Sequence, residues 1–106
     1  MVKEITSLEE FKAELAAAGS KLVVVDFTAH WCGPCKAMAP IFQKMADDNK
    51  DAVIFLKVDV DEAPDVSEYC EIKCMPTFFF YKNEQKVDEF SGANGDALKA
   101  KVAQHK

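Results

Sequence analysis

Leu22 to Ala29 is a near-continuous apolar run, Leu-Val-Val-Val-Asp-Phe-Thr-Ala, that ends against Trp31-Cys32-Gly33-Pro34-Cys35-Lys36. A valine-rich run of this kind reads as a central strand covered on both faces. After it, Pro34 suits a first helical turn, and Met38, Ile41, Phe42 and Met45 recur at helical spacing. A buried strand feeding a helix through two cysteines leaves few folds open. It places both sulfurs at the carboxyl end of a strand, where open α/β sheets usually bind their ligands.

The remaining elements follow from periodicity and punctuation. Val2–Ile5 reads as a short strand. Thr6 and Ser7 with Glu9 and Glu10 make a capping-box-like start to a helix whose Leu8, Phe11, Leu15 and Ala18 share a face, and Gly19 stops it. Pro40 sits inside the second helix and predicts a kink. Ala52–Val60 reads as another buried strand, and Pro64 to about Cys70 as a short helix. Thr77–Lys82 and Lys86–Phe90 read as a hairpin joined by Asn83-Glu84-Gln85. A last helix begins at Asn94 or Gly95, with Ala97, Leu98 and Val102 facing inward. The order βαβαβαββα is an α/β arrangement: right-handed parallel crossovers and a closing antiparallel hairpin give a mixed five-stranded sheet flanked by four helices. At 106 residues, without repeats or linker-like stretches, residues 1–106 are expected to form one domain.

Charge narrows the function. Thirteen basic residues, all lysine, face eighteen acidic ones for a formal charge of −5. That balance offers no basic stripe for nucleic acid and no polybasic patch for a membrane. No apolar stretch reaches membrane-spanning length. The N-terminus has no signal-like apolar region, and no Asn-x-Ser/Thr occurs, so the expected home is the reducing cytoplasm, with nuclear or secreted pools left open. In that compartment four cysteines are thiols, metal ligands or redox catalysts rather than a static framework.

The Cys-x-x-Cys spacing has a chemical reason. A thiol attacks a disulfide as its thiolate, and Cys32 at a helix N-terminus would meet unpaired backbone N–H groups that favour an anion. Gly33 leaves the approach open, and Cys35, one turn on, is expected to be the more buried sulfur. Asp26 interrupts the apolar run. A carboxylate there is costly to bury and shifts toward its neutral form, which suits an acid/base group; a strand-end aspartate that reaches water is the equal alternative. Lys57, in the adjacent apolar strand, either partners Asp26 or sits at the surface. Sequence alone predicts a trans Met75-Pro76 bond.

Trp before the pair, Gly-Pro inside it and the strand-to-helix junction carry a resemblance. Over essentially all 106 residues the chain resembles the thioredoxin family, most closely its animal-type cytosolic members. The resemblance implies the thioredoxin fold and a general protein-disulfide reductase. In it Cys32 attacks, Cys35 resolves the mixed disulfide, and Asp26 assists proton transfer. It implies a cis Pro76 facing the cysteines, and a substrate groove of Trp31, Gly33, Pro34, Met75, Pro76, Gly92 and Ala93. It also implies a hydrogen bond from Trp31 to Asp61, no bound cofactor, and electrons arriving from NADPH through thioredoxin reductase. The partners are that reductase and disulfide-containing proteins. The chain is expected to be a monomer.

Cys70 and Cys74 match positions where animal members carry regulatory thiols, which implies a Cys74-linked dimer on oxidation; Cys70 equally fits a quiet buried residue. His30 stands where a small or polar residue is usual. It either favours the Cys32 thiolate when protonated or is an exposed bystander; Lys36 either adds positive potential or only solubility. Asp59, Glu62 and Asp65 read as a solvated acidic rim. Three rivals remain. Zinc held by Cys32, Cys35, Cys70 and Cys74 lacks a glycine-rich knuckle around either pair, so no metal is expected. A non-enzymatic scaffold would have lost a cysteine or the proline. A secretory oxidant or isomerase would carry histidine inside the motif.

Overall fold

The computed structural model describes all residues, Met1–Lys106. Five strands, β1 (Val2–Ile5), β2 (Leu22–Thr28), β3 (Val53–Asp59), β4 (Thr77–Lys82) and β5 (Gln85–Ser91), form one sheet in the order β1-β3-β2-β4-β5. Strands β1, β3 and β2 run parallel; β4 and β5 are antiparallel. The helices are α1 (Leu8–Ala18), α2 (Gly33–Asp48), α3 (Pro64–Tyr69) and α4 (Gly95–His105). This is the thioredoxin fold that the sequence implies. None of its helices is long and apolar enough to cross a membrane.

Alternation along β2 builds two cores. Val23, Val25 and Phe27 join Phe11, Leu15, Val58 and Phe79 on the α1/α3 face. Leu22 and Val24 join Phe42, Phe55, Phe78, Phe80 and Leu98 on the α2/α4 face. Because side chains alternate, Asp26 belongs to this second face, under α2. Every residue of β2 is buried, as the apolar run predicts.

Local chemistry sets the element ends. Ser7 caps α1, its Oγ accepting the Glu10 N–H at 3.1 Å, while Glu10 reaches back to the Thr6 N–H at 2.9 Å. Asn94 caps α4 in the same way through the Ala97 N–H. Helix α2 starts at Gly33, one residue before Pro34, and runs on through Pro40 to Asp48. The hairpin loop is shorter than the sequence suggests. Gln85 pairs with Lys82, so only Asn83 and Glu84 make the turn, both with left-handed φ (52° and 65°). Two left-handed residues form the mirror-image turn whose twist matches antiparallel strands, which is why a third residue is not needed.

Candidate active site

Cys32 is the N-cap of α2, and the sequence signals for that junction explain how. Strand β2 ends at Thr28, and Cys32 keeps extended backbone (φ −86°, ψ 112°) before Gly33 and Pro34 turn into the helix. Its Sγ accepts the Cys35 backbone N–H at 3.2 Å. Cys32 and Cys35 are joined as a disulfide with Cα atoms 5.3 Å apart. Both are buried, Cys35 (3%) only slightly more than Cys32 (6%), and Ala29, Val60 and Met75 pack around them. A Cβ placed on Gly33 would meet nothing within 4 Å, so the approach to Cys32 is open.

Asp26 is buried, and its Oδ1 has no hydrogen-bond partner. Burial pushes its carboxyl up to about 7, and the Lys57 charge offsets this only in part. Asp26 and Lys57 are register partners on β2 and β3 but form no ion pair within 4 Å. Lys57 is half-buried. With Asp26, Cys35, His30, Lys36 and Asp59 it lines one cavity of about 660 Å³ beneath the motif. An acid/base group that changes protonation near neutrality therefore shares a cavity with the second sulfur.

The other half of the site comes from distant chain. The Met75–Pro76 bond is cis, against the sequence-only expectation and as the resemblance implies. The Met75 carbonyl oxygen lies 3.8 Å from Cys32 Sγ. Gly92 donates its N–H to the Pro76 carbonyl at 2.9 Å with φ 106°, a conformation that requires glycine. Ala93, next in the chain, and Pro34 are both exposed. Trp31, 61% exposed, donates its indole N–H to Asp61 at 2.7 Å and so stands as a fixed apolar wall beside Cys32.

One expectation is corrected. Asp59 is not part of a solvated rim: it is buried, and its Oδ1 accepts the N–H groups of Asp61 and Glu62, fixing the β3–α3 loop. Glu62 and Asp65 are exposed as expected, and Asp65 also accepts the Leu8 N–H at 2.8 Å, tying α3 to the start of α1. The signal for Asp59 was its place as the last residue of an apolar strand, where loop N–H groups need an acceptor. Thr77 was also missed. Its Oγ1 donates to the Cys74 carbonyl at 2.8 Å and meets Ser91 Oγ at 2.9 Å, which holds Cys74, Met75 and β5 together.

The two remaining thiols lie apart from the pair. Cys70, half-buried, and Cys74, exposed, line a separate cavity of about 380 Å³ with Thr77, Lys86 and Ser91. Burial pushes the Cys70 thiol up, whereas hydrogen bonds from Ser91 and Thr77 hold the Cys74 thiol below its usual range. The four sulfurs form no common cluster. His30 and Lys36 are both exposed.

Comparison with known proteins agrees with this geometry. The family model described as thioredoxin matches residues 2–104. The chain is 60% identical over 107 residues to a thioredoxin of Ictalurus punctatus, covering all of both chains. Among solved structures it is similar to Plasmodium falciparum thioredoxin (42% identity, TM-score 0.91) and Fasciola hepatica thioredoxin (36%, TM-score 0.96). Each comparison covers 98% of this chain and 99% of the other.

Proposed function

This chain belongs to the thioredoxin family of protein-disulfide oxidoreductases, and we propose that Cys32 is its attacking sulfur, Cys35 its resolving sulfur and Asp26 their proton partner. One observation carries the assignment: Cys32 Sγ caps the N-terminus of α2 and accepts the Cys35 N–H at 3.2 Å. A thiolate in that position gains a charge-assisted hydrogen bond and the favourable end of the helix dipole. Cys35, inside the first turn, has no such cap.

The reaction then balances in two exchanges. The Cys32 thiolate attacks one sulfur of a substrate disulfide, forming a Cys32–substrate bond and releasing the other sulfur as a thiolate. Cys35 loses its proton toward Asp26 and attacks Cys32 Sγ. The second substrate thiol leaves, and the Cys32–Cys35 disulfide remains. The substrate is reduced by two electrons and the protein oxidised by two. Asp26 suits the proton step because its pKa, raised to about 7, lets it take or return a proton at neutral pH.

Trp31, Gly33, Pro34, Met75, Pro76, Gly92 and Ala93 are read as the groove that holds an extended substrate segment. Strand-like pairing to the Met75 backbone would bring a substrate sulfur to Cys32, since the Met75 carbonyl already lies 3.8 Å from Cys32 Sγ. Electrons are proposed to come from NADPH through a separate thioredoxin reductase, with the cytoplasm as the working compartment and residues 1–106 acting as one monomeric domain. The test is turbidimetric insulin reduction with dithiothreitol. Cys32→Ser should abolish the acceleration over dithiothreitol alone; an undiminished rate overturns the assignment.

A further inference from the structure

The hydroxyl of Thr77 is buried directly behind the strip of backbone that faces Cys32, and it carries two bonds at once. It donates its one proton to the Cys74 carbonyl at 2.8 Å, so in the 2.9 Å contact with Ser91 Oγ it is Ser91 that donates. Thr77 and Ser91 are the end pair of the β4–β5 ladder. Beside them, Gly92 donates its N–H to the Pro76 carbonyl at 2.9 Å. Two struts, one through side chains and one through backbone, thus join the Cys74–Thr77 segment to the turn at Gly92.

The bond to the Cys74 carbonyl reaches beyond Cys74 itself. The carbonyl and N–H of one peptide lie in a plane and, across a trans bond, point in opposite directions. Cys74–Met75 is trans, because Met75–Pro76 is the one cis bond in the chain. Pinning the Cys74 carbonyl therefore also pins the Met75 N–H on the other side of the plane. That N–H donates to no group in the chain, and Pro76 after it has none to offer. The carbonyl of the same residue lies 3.8 Å from Cys32 Sγ. Met75 thus holds a free donor and a carbonyl together, the pair through which one antiparallel strand bonds another.

We propose that Thr77 is a positioning residue for polypeptide substrates: its hydroxyl, braced by Ser91, holds the Cys74–Met75 peptide plane so that the Met75 N–H is presented to an extended segment. The proposal rests on the groove reading above and names the group that sets the groove's backbone. Thr77 touches no reacting atom; it acts through Met75. A small disulfide has no backbone to pair and gains little from this bracing. Thr77 therefore favours polypeptide disulfides over low-molecular-weight ones. Valine in its place keeps the shape and loses both bonds, leaving the Cys74 carbonyl without its partner.

The test is a single turnover. Reduced protein is mixed with rising concentrations of insulin and quenched with acid, and the Cys32–Cys35 disulfide formed is quantified by mass spectrometry. Thr77→Val should raise the half-saturating insulin concentration by about threefold or more, the scale of one lost hydrogen bond, with a smaller change in the limiting rate. Thr77→Ser, which restores the hydroxyl, should bring it back toward wild type. Ser91→Ala, at an exposed position, should raise it in the same direction and decides alone if Thr77→Val does not fold. An unchanged half-saturating concentration, or a loss shared equally by insulin and a small aryl disulfide, overturns the proposal. The groove has its own readout. With a disulfide-containing peptide trapped on Cys35→Ser, the Met75 amide should exchange with solvent more slowly than in the free protein. An unprotected amide removes the groove and this proposal with it; a protected amide with unchanged half-saturation removes the role of Thr77 alone.

Discussion

Asp26 makes the stability of the protein depend on pH near neutrality. Its carboxyl lies at about 7 in the folded chain against an ordinary value of 3.8, so the folded state holds a proton that the unfolded chain has already lost. Across that window the folded state binds more protons, and stability falls as pH rises. The penalty is absent below about pH 4 and complete above about pH 8. Asp26→Asn should therefore stabilise the protein by about 2–4 kcal/mol at pH 8 and by little at pH 4. Urea denaturation at the two pH values measures this, and an equal effect at both would contradict a buried, raised carboxyl. The same substitution should slow release of substrate from the Cys32 mixed disulfide. Most of these residues were legible before the fold was known. Cys32 and Cys35 stood out by spacing and Asp26 by interrupting an apolar run, whereas cis Pro76 came only through the family resemblance. Asp59 was misjudged, because whether an acid at a strand end meets water or a loop's N–H groups depends on how that loop folds back.

At the scale of elements, ends were decided by local hydrogen bonding and faces by periodicity. Ser7→Ala removes the acceptor for the Glu10 N–H and should cost about 1 kcal/mol of stability, measurable as a lower urea midpoint with an unchanged slope. Phe42, on the inner face of α2, packs edge-on against Phe55 at 5.3 Å and also meets Phe78. Phe42→Ala should cost about 3–5 kcal/mol. The hairpin tests the corrected turn. Glu84 holds φ 65°, where a glycine is unstrained, so Glu84→Gly should raise stability by roughly 0.5–1 kcal/mol. A loss would mean that the turn is not left-handed at this position. Helices and strands were readable because apolar residues recur at their own periods. The hairpin loop was not, since Asn-Glu lacks the glycine that usually marks a two-residue turn.

At the scale of the whole molecule, one sheet brings separated segments to a common edge. The end of β2, the start of α2, the Met75–Pro76 bond and the turn at Gly92 meet around the two sulfurs. Cys74 lies exposed just before that bond, its thiol favoured as an anion by Ser91 and Thr77. Incubation with oxidant should give a covalent dimer on non-reducing gels that Cys74→Ser prevents; equal dimerisation of the variant would remove this role. The division of labour between the two active-site sulfurs is tested most directly by trapping. Cys35→Ser, mixed with a disulfide-containing protein and then alkylated, should accumulate a mixed disulfide that mass spectrometry places on Cys32. Adducts on Cys70 or Cys74 instead, or equal trapping by Cys32→Ser through Cys35, would contradict the account.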